Sequence, residues 1–96
     1  MDTITFGPWH NITLTETYSA SSFTQLSRPL PTLAREKAKA KVESIPVGRL
    51  VITVSSYGDE ALSSAVAAFN IVLRHLGWRG QLVEESKVKS QIRQFL

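Results

Sequence analysis

A chain of 96 residues, 43% hydrophobic and 20% charged, holds enough apolar surface for one modest core and no second one. The absence of cysteine excludes disulfide staples and any cysteine-held zinc or iron–sulfur centre. A net charge of +3 argues against an acidic nucleic-acid mimic and is smaller than a dedicated nucleic-acid-binding domain usually carries.

Near the start, Thr3-Ile4-Thr5-Phe6 and Ile12-Thr13-Leu14-Thr15 alternate polar and apolar residues around Gly7-Pro8-Trp9-His10-Asn11. This pattern predicts an N-terminal β-hairpin with Ile4, Phe6, Ile12 and Leu14 facing the core. The stretch 19–31 is serine-rich and ends in Arg28-Pro29-Leu30-Pro31, so it is expected as a mobile connecting loop. Residues 31–44 are rich in Ala, Lys, Glu and Arg, and Leu33, Ala34, Ala38, Val42 and Ile45 fall on one side at helical spacing. A helix is predicted there, although Lys37-Ala38-Lys39-Ala40-Lys41 also alternates as a strand would.

Leu50, Ile52 and Val54, with Val51 between them, predict a strand covered on both faces or nearly so. A helix over 59–76 follows, with Asp59 as N-cap and Gly77 at the left-handed C-terminal position. Leu62, Ala65, Val66, Phe69, Val72, Leu73 and Leu76 recur along it every three or four residues. Gln81 to Glu84 predicts a further short strand, which makes a parallel strand–helix–strand unit of residues 49–85. A last amphipathic helix is expected over 87–95. It is too short to stand alone in water and must dock on its own core or on a partner. The expected fold is α+β, one domain over 1–96, with a small mixed sheet made of the hairpin and the crossover unit and about three helices.

Sites for small-molecule chemistry are weak. The turn Ser55-Ser56-Tyr57-Gly58-Asp59 stands where some α/β folds bind phosphate, but it has one glycine, and Asp59-Glu60 would repel an anion. His10 and His75 have no ligand-spaced partner, and no nucleophile elbow is present. No catalytic residue, cofactor or metal is expected, and the chain is read as non-enzymatic. No secretory signal or membrane-spanning stretch is visible, so a cytoplasmic location without a membrane partner is expected.

Two binding readings remain. In the first, large apolar side chains in turns and at the C-terminus dock on a larger host or cognate protein. Trp9, Trp78, Arg79, Val88, Ile92, Arg93, Phe95 and Leu96 are the candidates, with 87–96 as the docking segment. The protein would then be an adaptor or inhibitor of the kind that phages and mobile elements encode. In the second, Arg35, Lys37, Lys39 and Lys41 form a basic stripe which, with Trp78-Arg79, holds nucleic acid. The first is the preferred expectation.

Overall fold

The computed structural model describes residues 10–93. Three strands form the sheet: β1 (Asn11–Ser19), β2 (Ala38–Ile45) and β3 (Arg49–Tyr57). Two helices follow, α1 (Ala61–His75) and α2 (Glu85–Arg93), and single 3₁₀ turns sit at Ala20–Ser22 and Ala34–Glu36. The strand order is β1-β3-β2, and β3 is antiparallel to both neighbours. The fold is therefore α+β, as the composition and patterning predict.

The sheet is antiparallel throughout, which corrects the expected mixed sheet with a crossover unit. Both edges of β3 are taken, by β1 on one side and β2 on the other, so no parallel neighbour can form beside it. The Gln81–Glu84 stretch is not a strand. Asn70 of α1 grips its backbone instead: Nδ2 donates to the Val83 carbonyl at 3.0 Å, and the Val83 N–H donates to Oδ1 at 2.8 Å. An amide side chain can satisfy one donor and one acceptor at once, as a neighbouring strand would. The hairpin in this structure joins β2 to β3 through Pro46-Val47-Gly48. The strand expected over 3–6 lies outside the described residues.

The helix expected over 31–44 is also corrected. Lys37 adopts a left-handed backbone (φ 51°), which ends the 3₁₀ turn after Glu36 and starts β2. From there Ala38, Ala40 and Val42 turn toward the core while Lys39, Lys41 and Glu43 turn to solvent. Helix propensity in this stretch is a few tenths of a kcal/mol per residue. It loses to a cross-strand ladder that pairs every residue from Ala38 to Ile45 with β3. Among the described residues two α-helices are thus formed rather than about three.

Along β3, Leu50, Ile52, Val54 and Ser56 are buried beneath α1. The opposite side, expected to be covered or nearly so, holds the half-buried Val51 and Thr53 between exposed neighbours. The Ser56 hydroxyl donates to the Glu36 carbonyl at 3.1 Å, which fastens the 3₁₀ turn to the end of β3. α1 buries Phe69, Val72, Leu73 and Leu76 against Leu50, Ile52, Val54, Phe23 and Leu33 in the main core. Its first turns and Ile12 form a second cluster, over which Val88 and Ile92 of α2 pack.

α1 starts at Ala61 with Glu60 in the N-cap position and no side-chain cap, which corrects the assignment of Asp59. The Asp59 carboxylate points instead toward His10, 3.8 Å away. At the other end Gly77 has φ +79°, and the Trp78 N–H closes back on the Leu73 carbonyl at 3.0 Å. This is the left-handed termination expected for glycine. A Cβ on Gly77 would also stand 2.0 Å from Thr24 Oγ1. The β1–β2 connection is stitched to the same end of α1. Gln25 N–H donates to the Leu76 carbonyl at 3.0 Å, Arg28 Nη1 to the His75 carbonyl at 3.3 Å, and His75 Nε2 to the Pro29 carbonyl at 2.6 Å.

Candidate functional site

A groove of about 690 Å³ runs between β1 and α2. β1 lines one side from Asn11 to Tyr18. The Gln81–Glu84 stretch and the inward face of α2 line the other, and Phe69 forms its base. Its apolar surface comes from residues that each element was already burying: Ile12 and Leu14 from β1, Leu82 and Val83 from the clamped stretch, Val88 and Ile92 from α2.

β1 is an edge strand. All nine of its residues pair with β3, and among the described residues no strand pairs with its outer side. Among the described residues, a row of N–H and C=O groups on that side is therefore left without a strand partner beside the groove. Natural edges are usually blunted by lysine, proline or a bulge. β2, the opposite edge, carries Lys39 and Lys41, whereas β1 has none of these features and reads Asn-Ile-Thr-Leu-Thr-Glu-Thr-Tyr-Ser.

The electrostatics of the groove are set by two carboxylates. Glu84 is held by Lys87 at 3.3 Å and accepts a hydrogen bond from Gln81 Nε2 at 2.9 Å. Among the described residues, Glu16 has no ion-pair partner. Its charge reaches Tyr18: burial first, then the Glu16 carboxylate, push the Tyr18 hydroxyl up to about 12. Among the described residues, the groove thus combines an apolar lining, a backbone edge without a strand partner and a carboxylate without an ion-pair partner. No protein-family model, curated protein or solved structure matches this chain.

The residues singled out from the sequence fall in several places. Trp78 lies inside an aromatic cluster, with ring centroids 5.0 Å from Tyr18 and 5.2 Å from Phe23. Its Nε1 donates to the Gln81 carbonyl at 3.1 Å, which folds the 77–81 turn back on itself. Gly80 fits against the indole, where a Cβ would come within 2.2 Å of Cζ2. Arg79 beside it is exposed. Val88 and Ile92 are half-buried groove-wall residues packed on the second core cluster, and Arg93 is the last residue of α2. Trp9, Phe95 and Leu96 lie outside the described residues.

The basic stripe is divided between elements. Arg35 sits in the 3₁₀ turn, Lys37 at its left-handed end beside Gly58, and Lys39 and Lys41 on the helix-free face of the sheet. Among the described residues no three His, Cys, Asp or Glu side chains converge in a metal-binding group. No helix among them is long and apolar enough to cross a membrane.

Glu16 and Tyr18 are not among the residues that the sequence singles out. The strand alternation that placed Leu14 in the core also places these two on the groove side. What it could not supply was the edge position of β1, because strand order is a tertiary property.

Proposed function

We propose that this chain is a small non-enzymatic protein-binding module that captures an extended segment of a larger protein by strand addition to β1. The observation that carries this reading is the outer edge of β1, which among the described residues pairs with no strand and carries no lysine, proline or bulge, backed by an apolar groove with Glu16 in it. In strand addition, main-chain hydrogen bonds supply affinity and pockets for alternate side chains supply specificity. The preferred segment alternates apolar and polar residues. Its apolar side chains enter the groove toward Leu14 and Val83, and a lysine or arginine meets Glu16. In this reading Val88 and Ile92 act as a wall fixed to the domain's own core, and the role expected for the 87–96 segment passes to the groove it borders.

Selection from a random peptide library, followed by amide chemical-shift mapping, tests the proposal. Selected peptides are expected to alternate, to carry a cation, and to perturb the amides of Asn11–Ser19. Glu16 is exposed, so Glu16→Lys leaves the fold intact. It is expected to weaken the selected cationic peptides at least about tenfold, the scale of one desolvated charge pair at an interface. Binders that leave β1 amides unmoved, or that bind Glu16→Lys as well as wild type, would overturn the reading.

A further inference from the structure

The sheet has a second face, which meets the groove only along the β1 edge, at Thr13 and Thr15. α1, the β1–β2 connection with Phe23 and Leu33, and α2 all pack on one side. Among the described residues nothing packs on the other. Strand alternation places Thr13, Thr15 and Thr17 of β1 there, together with Thr53 and Ser55 of β3 and Lys39 and Lys41 of β2. The register arranges them in rows. Thr13, Ser55 and Lys39 lie side by side across the three strands, and so do Thr15, Thr53 and Lys41. Within the rows the Thr13 and Ser55 hydroxyls share a hydrogen bond of 3.1 Å, and Thr15 Oγ1 donates to Thr53 Oγ1 at 3.3 Å. Each row is therefore a lysine followed by two ordered hydroxyls, and successive rows stand about 7 Å apart by strand geometry.

Charge on this face is net positive. Arg49 lies in the last row beside Ser19 and Ile45, and the only anion in the rows is Glu43, 3.5 Å from Lys41. Tyr57 ends β3 on the same face, 60% exposed, with Lys37 at the neighbouring strand start. Lysine, arginine and Ser/Thr hydroxyls are the groups that contact the phosphates and sugars of nucleic acids, and an exposed tyrosine offers a ring on which a base can stack.

We infer that the helix-free face of the sheet is a binding surface for single-stranded nucleic acid, with Lys39, Lys41 and Arg49 neutralising phosphates and Tyr57 stacking a base. The hydroxyl rows present no arrangement that would distinguish one base edge from another, so recognition is of the backbone and independent of sequence. A single strand is favoured because the lysines form one short column along a narrow sheet. The basic stripe read from the sequence thus contributes Lys39 and Lys41 from a strand, joined by Arg49, whereas Trp78 is part-buried against Tyr18 and Phe23 on the other side of the sheet. This surface shares Thr13 and Thr15 with the rim of the β1 groove, but its cations and Tyr57 lie outside the groove, so the two proposals stand or fall independently.

Fluorescence anisotropy with a labelled oligo-dT of about fifteen nucleotides, titrated with the whole chain over a range of salt, tests the inference. Three phosphate contacts predict a log–log salt slope near about −2, from roughly −0.7 per contact on a single strand. Lys39 and Lys41 are exposed, so the double variant Lys39→Glu, Lys41→Glu keeps the fold. It is expected to lose more than about tenfold in affinity and to flatten the slope by about 1.4. Tyr57→Ala is expected to weaken binding without changing the slope, and Glu16→Gln in the groove to leave it unchanged. Absence of binding by wild type at low salt would overturn the inference, as would equal binding by the double variant. Equal affinity for poly-glutamate of matched charge would assign the face to acidic protein segments instead and would also overturn it.

Discussion

Val47 occupies the tip of the β2–β3 hairpin with φ +65° and is 94% exposed. A β-branched side chain in the left-handed region crowds its own backbone at a cost of about 1–2 kcal/mol, and here no buried contact offsets it. The turn is kept in place by its neighbours: the ladder begins on one side at Ile45↔Arg49, and the Ala20 N–H donates to the Gly48 carbonyl at 2.8 Å. Val47→Asn, which tolerates this conformation, is expected to raise stability by about 1 kcal/mol. A urea titration checks this, and a lower midpoint with an unchanged slope would show that the valine side chain serves a contact. Asn70 presents the opposite case, a polar side chain whose two hydrogen bonds hold a whole segment. Asn70→Ala leaves the part-buried N–H and C=O of Val83 without partners, at an expected cost of about 1–3 kcal/mol. Its signature is local: hydrogen exchange at Val83 should accelerate more than exchange in the middle of α1. Equal acceleration everywhere would mean that the clamp only adds to global stability.

At the scale of elements, what could be read in advance depended on whether one signal dominated. α1 was legible because its apolar residues recur at helical spacing over four turns and a glycine stops it. The strand β3 was equally clear, from Leu50, Ile52 and Val54 alternating among β-branched neighbours. For β2 two signals competed in the same residues. Alanine, lysine and glutamate favour a helix, while their order, Ala-Lys-Ala-Lys-Val-Glu, alternates at the period of a strand. Pairing decided the outcome, and pairing depends on β3, a partner outside the window that was read. The Gln81–Glu84 stretch resembles a strand for a related reason. Its apolar pair Leu82-Val83 is half-buried against the core, yet the N–H and C=O of Val83 bond to one asparagine rather than to a ladder. Of the candidate site, the basic residues and the apolar residues of α2 were legible. The groove was not, because it exists only where β1 becomes an edge.

For the molecule as a whole, the aromatic cluster of Tyr18, Phe23, Phe69 and Trp78 joins β1, the β1–β2 connection, α1 and the following turn. Tyr18 makes this junction sensitive to alkali. Its folded-state value is raised from 10.0 to about 12, so folding favours the neutral phenol. That contribution is complete below about pH 10 and is lost as pH rises toward about 12. Tyr18→Phe is expected to show a shallower loss of stability across this window than wild type, measured by denaturant titration at successive pH values. Parallel losses would place the alkaline sensitivity elsewhere. The strand order has a consequence in time as well. β2 and β3 are joined by three residues and can zip from their turn, whereas pairing β1 with β3 brings together residues such as Thr13 and Ser55, 42 positions apart. Loop-closure entropy makes the second pairing the slower and later one, with β1 docking on a hairpin already formed. Among the described residues β1, like β2, has one hydrogen-bonded neighbour, and as the strand that arrives last it is the natural first to detach when the native state opens in part. The outer edge of β1 therefore belongs to the part of the sheet with the smallest barrier to exchanging partners.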